Sequence, residues 1–354
     1  AQFVYPTPDT IMTSKVHVIS QFILNNFYKL RKFPIDVSKP LIVGISGLQG
    51  CGKTTIVGQI AKHLKASYNI SAVCCSIDDF YLTFNDQTKL SQRNPDNKLL
   101  EYRGEPGTHD ILLGANTLRD LCGIQEIYNY FRNKSEHGVN MDDFGDLNKV
   151  TIPFYNKSLN HGRGDRAERD SWIQVKPPFD IILFEGWLLG FKHLSKAQLE
   201  LAYNRALETP SSYTLTSHPL SHLEMINENL KRYEEEWYPF LDLFIHIDAQ
   251  DINFVYQWRL EQERNRISRG ELGMTDEQVH DFVDRYMPAY ELYLPILRKD
   301  NFFCNVVEQD EEHRRDDDGD GSKMVKCLNH DQHYGRHLRL VLDIHRDLLD
   351  EVVM

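Results

Sequence analysis

The chain has little of what marks several common classes. Basic residues are outnumbered 40 to 52 by acidic ones, for a formal net charge of −12. That balance makes general nucleic-acid binding a poor reading, because it needs a basic footprint. No apolar run approaches the roughly 18 residues of a membrane-spanning helix. Only six cysteines occur in 354 residues, and none forms a Cys-x-x-Cys pair, which argues against a zinc ribbon or a thioredoxin-type site. Cys51 and Cys74 lie in apolar or glycine-rich stretches and read as reduced thiols. Residues 1–10 lack the basic-then-apolar order of a secretory leader, so the expectation is a cytoplasmic protein, with the nucleus open as a second compartment. No Asn-Lys-x-Asp guanine motif and no internal repeat is present, which speaks against a GTPase switch.

What is there suits a large globular α/β chain. Hydrophobic residues make up 41% and charged residues 26%, enough for a buried core. Val16, Ile19, Ile23, Phe27 and Leu30 recur at helical spacing over residues 14–33. Buried strands are expected at 41–45, 72–77, 179–184, 243–247 and 338–344, and helices after 54, around 111–121, and over 251–268 and 275–298. Strands alternating with helices imply a mostly parallel sheet covered on both faces. Residues 308–320 hold eight acids and two arginines, which reads as an exposed loop. Within it Asp316, Asp318, Asp320 and Gly321 open like a calcium loop, but the twelfth position is Cys327 rather than Glu, so a calcium site is not expected.

The chemistry begins at residues 47–54. Gly47, Leu48, Gln49, Gly50, Cys51, Gly52, Lys53 and Thr54 spell G-x-x-x-x-G-K-T between an expected strand and an expected helix, the context that supports a phosphate-binding loop. Glycines let backbone N–H groups turn toward phosphate oxygens, and the helix N-terminus favours negative charge. Lys53 would neutralise the β- and γ-phosphates and Thr54 would ligate Mg²⁺, with Thr55 completing the ATP site. Asp78 and Asp79 follow the second strand, where an open parallel sheet binds its ligands. A carboxylate there can accept the proton of an attacking hydroxyl; alternatively, both are turn caps. Glu185 ends an apolar strand, a position suited to holding Mg²⁺. Arg259, Arg264, Arg266 and Arg269 cluster before Gly270. They could close over a nucleotide or form a solvated face paired with Glu261 and Glu263.

Together with the 47–54 loop, the runs Ser76-Ile77-Asp78-Asp79-Phe80-Tyr81, Arg103-Gly104-x-Pro106-Gly107-Thr108-His109-Asp110, Pro153-x-Tyr155-x-Lys157-Ser158, Glu185-Gly186-Trp187 and Asp284-Arg285-Tyr286-Met287-Pro288 resemble the D-glycerate 3-kinases of plants and fungi and the fungal ATP-dependent kinases near them. The resemblance covers about residues 40–298. It implies a P-loop NTPase-type three-layer sandwich with a helical lid, as in the wider group of uridine kinase, phosphoribulokinase and pantothenate kinase. By the same resemblance Asp78 is the general base, Arg264 and Arg269 are the lid arginines, and Arg259 and Arg266 are weaker matches. Asp79, Tyr81, Arg103, His109, Tyr155, Lys157 and Arg166 fall in acceptor motifs. Arginine and lysine there suit an anion.

The sequence therefore leads to three segments: an N-terminal helical extension (1–40), a P-loop kinase domain (41–300, lid about 255–272) and a C-terminal segment (301–354) with the acidic loop 308–322 and a final strand. The expected activity is ATP- and Mg²⁺-dependent phosphorylation of a small anionic acceptor, with D-glycerate leading. A nucleoside, pantothenate-like or sugar acceptor, or a regulatory ATP binder, are the alternatives. No nucleic-acid or membrane partner is expected, and the oligomeric state is open.

Overall fold

A computed structural model describes residues 14–30, 39–135, 149–270, 273–304 and 333–354. The acidic loop, the calcium-like run and Cys327 lie outside the described residues. The chain opens with helix α1 (Ser14–Leu30), strand β1 (Leu41–Gly47), helix α2 (Lys53–Tyr68) and strand β2 (Ala72–Ser76). Helices α3 (Phe84–Arg93) and α4 (Ile111–Ser135) follow, then four short strands, β3 (Val150–Ile152), β4 (Tyr155–Asn156), β5 (Asp165–Arg166) and β6 (Ile173–Val175). Next come β7 (Ile181–Gly186), α5 (Lys196–Glu208), α6 (Leu220–Glu236) and β8 (Leu243–Ala249). Helices α7 (Phe254–Ser268), α8 (Asp276–Asp284) and α9 (Met287–Lys299) precede the hairpin strands β9 (His337–Leu342) and β10 (Leu348–Val353).

The main sheet runs β10-β9-β8-β1-β7-β2 and is parallel except for β10, which pairs antiparallel with β9. This is the mostly parallel α/β architecture expected from the strand–helix alternation. Every residue of β1, β7 and β8 is buried. Successive side chains of a strand point to opposite faces, so the centre of the sheet is covered on both. β1 lies between β7 and β8. A crevice opens at its carboxyl end, where α/β sheets bind ligands. β9 extends the same sheet beside β8, and α1 packs against α2, so both ends of the described chain join one core.

Two helices differ from the sequence expectation. α4 runs to Ser135 rather than stopping near Leu121; beyond Leu121 its buried face includes the polar Gln125 and Asn129, so the apolar periodicity fades. The expected single helix over 275–298 is two, α8 and α9, separated at Arg285 and Tyr286. Pro288 explains the break: proline is favoured in the first turn of a helix and resists a helical residue before it. Strand β2 stops at Ser76, because residues 77–80 form one 3-10 turn whose Asp78 N–H donates to the Ser76 hydroxyl.

Candidate active site

β1 ends at Gly47 and α2 starts at Lys53, so the glycine-rich loop joins strand to helix as the motif requires. Gly50 and Gly52 have φ of +80° and +88°, conformations that favour glycine. At Gly50 space is decisive too: an added Cβ would lie 2.6 Å from Cβ of Trp258 on α7. The loop is held from outside by two contacts. The Gln49 N–H donates to the Tyr290 hydroxyl at 3.2 Å, and Arg346 Nε donates to the Gly50 carbonyl at 2.8 Å.

Glu185 lies on β7 in register with Ser76 of β2 and Ile45 of β1. Its carboxylate accepts from the Thr54 hydroxyl at 3.3 Å and stands 3.5 Å from Lys53 Nζ. Burial disfavours the Lys53 charge, but Glu185, Cys51 and Asp78 together more than offset this and raise the lysine pKa. Lys53 is therefore held as a cation on the crevice wall beside the glycine-rich loop. The Thr54 hydroxyl and Glu185 carboxylate are hard oxygen donors that converge, a donor set that fits Mg²⁺. Among the described residues there is no cluster of three or more His, Cys, Asp or Glu that could hold a metal.

Beyond the 77–80 turn the two acids diverge. Asp78 meets Lys157 Nζ at 2.5 Å. Burial pushes the Asp78 pKa up, but the charge and hydrogen bond of Lys157 together with the Lys53 charge outweigh it and pull the value down to about 2. The Asp79 carboxylate accepts the Tyr155 N–H at 3.2 Å. Burial and the neighbouring Asp78 push Asp79 up to about 6. Asp79 pins β4 in place, whereas Asp78 faces the crevice with a charged partner. The turn-cap reading fits neither acid, because Ser76 is the cap.

The crevice is a cavity of about 2170 Å³, larger than the roughly 300–1,000 Å³ of a one-ligand pocket. Gln49, Gly50, Gly52, Lys53, Thr54 and Thr55 line one part, together with Glu185. Asp78, Asp79, Tyr81, Arg103, Tyr155 and Lys157 line another. Gly47, Leu48 and Cys51 do not line it; Leu48 and Cys51 are buried beneath the loop. Arg163, Trp187, Arg285, Tyr286 and Arg346 also line the cavity and were not singled out from sequence. Trp187 and Tyr286 sit inside runs that carried the family resemblance, which was the available signal. Arg103 ties this wall together by donating to the Gly162 carbonyl at 2.9 Å, and the Tyr286 hydroxyl donates to the Arg103 carbonyl at 3.4 Å.

Four further expected residues lie off the cavity. His109 is buried behind Tyr81, stacked on its ring with centroids 4.3 Å apart, and its Nδ1 is 2.7 Å from the Tyr233 hydroxyl. Burial pushes its pKa down to about 3, leaving a neutral imidazole. Arg166 donates to the Tyr81 carbonyl and to Asp110, both at 3.1 Å, and so supports the wall from behind. Arg264 pairs with Asp276 at 2.8 Å on an exposed surface. Arg269 sits at the end of α7 and is likewise not part of the lining. Arg259 and Arg266 line the cavity instead, with Arg259 held by Glu263 at 2.8 Å and Arg266 3.5 Å from the same carboxylate. At about 100° per residue, 266 lies nearly above 259, while 264 is turned about 140° away.

The glycine-rich loop and Asp78 thus face one crevice. No family model matches the chain. It is 40% identical over 262 residues to the chloroplastic D-glycerate 3-kinase of Arabidopsis thaliana, a match covering 74% of this chain and 49% of that protein. It thus spans about half the length of that relative. Over 257 residues it is 39% identical to the probable ATP-dependent kinase TDA10 of Saccharomyces cerevisiae, covering 72% of this chain and 78% of that one. Among solved structures it resembles the D-glycerate 3-kinase from Cryptococcus neoformans var. grubii, with 32% identity and a TM-score of 0.75 over 97% of this chain and 100% of that one. The chain belongs to the D-glycerate 3-kinase family of ATP-dependent kinases. Among the described residues no helix is long and apolar enough to cross a membrane.

Proposed function

We propose that the protein transfers the γ-phosphoryl group of ATP to the 3-hydroxyl of D-glycerate. The observation that carries this reading is the shared cavity, in which the phosphate loop and the Asp78–Lys157 pair face one space walled by Arg103, Arg163 and Arg285. The triphosphate lies on the backbone N–H groups of residues 49–54, with Lys53 against its outer phosphates. Thr54 and Glu185 would hold Mg²⁺, which when bound neutralises phosphate charge. Asp78 accepts the acceptor's hydroxyl proton or fixes its direction. As the acceptor oxygen bonds to the γ-phosphorus, the bond from that phosphorus to the β–γ bridging oxygen breaks, and its electrons leave with ADP. Because this transition state is loose, placement and charge matter more than base strength, so a carboxylate with a pKa near 2 is serviceable. Arg259 and Arg266 face the cavity from the lid helix and stabilise charge on the moving group. Arg103 and Lys157 match the carboxylate of D-glycerate, for which a guanidinium fork and an ammonium are suited partners.

Coupled ADP release by the purified protein with Mg-ATP tests this. D-glycerate is expected to stimulate release, and uridine, pantothenate or no acceptor is not. Stimulation by uridine and not by D-glycerate would overturn the assignment of the acceptor.

A further inference from the structure

In the structure one oxygen of the Asp78 carboxylate, Oδ2, is engaged by Lys157 Nζ at 2.5 Å, so its negative charge is already shared with a cation and its pull on a hydroxyl proton is reduced. The two groups come from different parts of the fold. Asp78 stands on the rigid turn after β2, capped by Ser76. Lys157 follows β4 in a loop where Asn160, His161, Gly162 and Gly164 all have positive φ. The lysine side chain is 55% exposed and the aspartate 32%, so the pair faces the cavity rather than the core. A pair this exposed exchanges partners at small cost, since water and other ions compete for it.

We propose that the acceptor's own carboxylate unlocks Asp78: it takes Lys157 as its counter-ion, and the aspartate is released to the acceptor's hydroxyl. This rests on the reading of the protein as an anion-accepting kinase and adds how the anion is selected. A neutral polyol of the same size brings no group that can replace Asp78 at Lys157, so the lock stays closed. Lys157 then serves twice, as a binding group for the right acceptor and as a brake on wrong ones, which is specificity by penalising the competitor. The fold supports the exchange. Asp79 holds the Tyr155 N–H and Arg103 holds the Gly162 carbonyl, so the loop stays in place while the lysine changes partner. Lys53, held by Glu185 3.5 Å away, is committed to the phosphate side and cannot substitute for Lys157.

The test compares D-glycerate with glycerol as acceptors in the wild-type protein, Lys157→Met and Lys157→Arg. For Lys157→Met, kcat/KM for D-glycerate should fall about 100-fold, the scale of a lost charge-assisted contact. Glycerol turnover should rise about tenfold or more, a part of what an available base contributes. Lys157→Arg should keep the preference for D-glycerate. A purely structural or purely binding role for Lys157 moves both acceptors down or leaves glycerol unchanged, and either result would overturn the proposal. If D-glycerate is not a substrate of the wild-type protein, the assigned acceptor is wrong, yet a rise in glycerol turnover in Lys157→Met would still support the lock.

Discussion

Arg346 Nε donates to the carbonyl oxygen of Gly50 at 2.8 Å, across a sequence separation of 296 residues. Arg346 occupies the turn between β9 and β10 with φ +68°. Its guanidinium also pairs with Glu261 of α7 at 2.7 Å and lies 5.3 Å from the centre of the Trp258 ring. Trp258 in turn donates to the Ile344 carbonyl at 2.7 Å. One arginine therefore ties the C-terminal hairpin, the glycine-rich loop and helix α7 together. Arg346→Ala should raise the KM for ATP about tenfold, the cost of a charge-assisted hydrogen bond, and leave the KM for the acceptor within about twofold. Steady-state kinetics with each substrate varied in turn separates the two.

Lys53 is the charge on the phosphate side of the crevice. Lys53→Ala should lower turnover at least about 100-fold, as removal of one electrostatic stabiliser of a transition state does. The same protein, titrated by differential scanning fluorimetry without nucleotide, should unfold cooperatively. Full activity in this variant would mean that the 47–54 loop does not hold the transferred phosphate.

Glu185 and Thr54 should set the metal requirement. Glu185→Gln keeps the shape but weakens the oxygen donor, so the Mg²⁺ concentration for half-maximal activity should rise by about tenfold or more, as it does when outer or inner metal partners are altered. An unchanged Mg²⁺ dependence would move the ion elsewhere.

His109 makes stability depend on pH. In the folded protein its pKa lies at about 3 because burial disfavours the cation, whereas in the unfolded chain it is near about 6.5. Between these values the unfolded state binds more protons, so stability is complete above about pH 6.5 and is lost as pH falls toward 3. The melting temperature of wild type should therefore fall more steeply than that of His109→Gln between pH 6.5 and 4.5. Parallel slopes would contradict a neutral His109.

The parts of this fold that depend on local spacing were open to sequence reading. The buried run at 41–45, the glycine loop and the helix after it are contiguous, and their chemistry follows from residue type alone. Glu185 could be placed because it ends an apolar strand. The side of α7 that faces the crevice could not, because nothing local says how a helix is rotated about its axis. Hence Arg259 and Arg266 line the cavity where Arg264 and Arg269 were expected. His109 and Arg166 were expected to face an acceptor, yet both stand behind Tyr81, since a motif does not say which layer each of its residues occupies. Arg346 belongs to no motif, and its reach to Gly50 follows only from β9 joining the sheet beside β8.

We assign Asp78 as the group that directs phosphoryl transfer from ATP to the 3-hydroxyl of D-glycerate. The most direct measurement is ³¹P NMR of the product formed from ATP and D-glycerate by wild type and by Asp78→Asn, with ATP affinity measured in parallel. The wild-type protein should yield 3-phosphoglycerate. Asp78→Asn should lose about 10²–10⁴ in rate, the contribution of a positioned base, with ATP affinity unchanged. A 2-phosphorylated product, or an Asp78→Asn protein that transfers at the wild-type rate, would contradict the account.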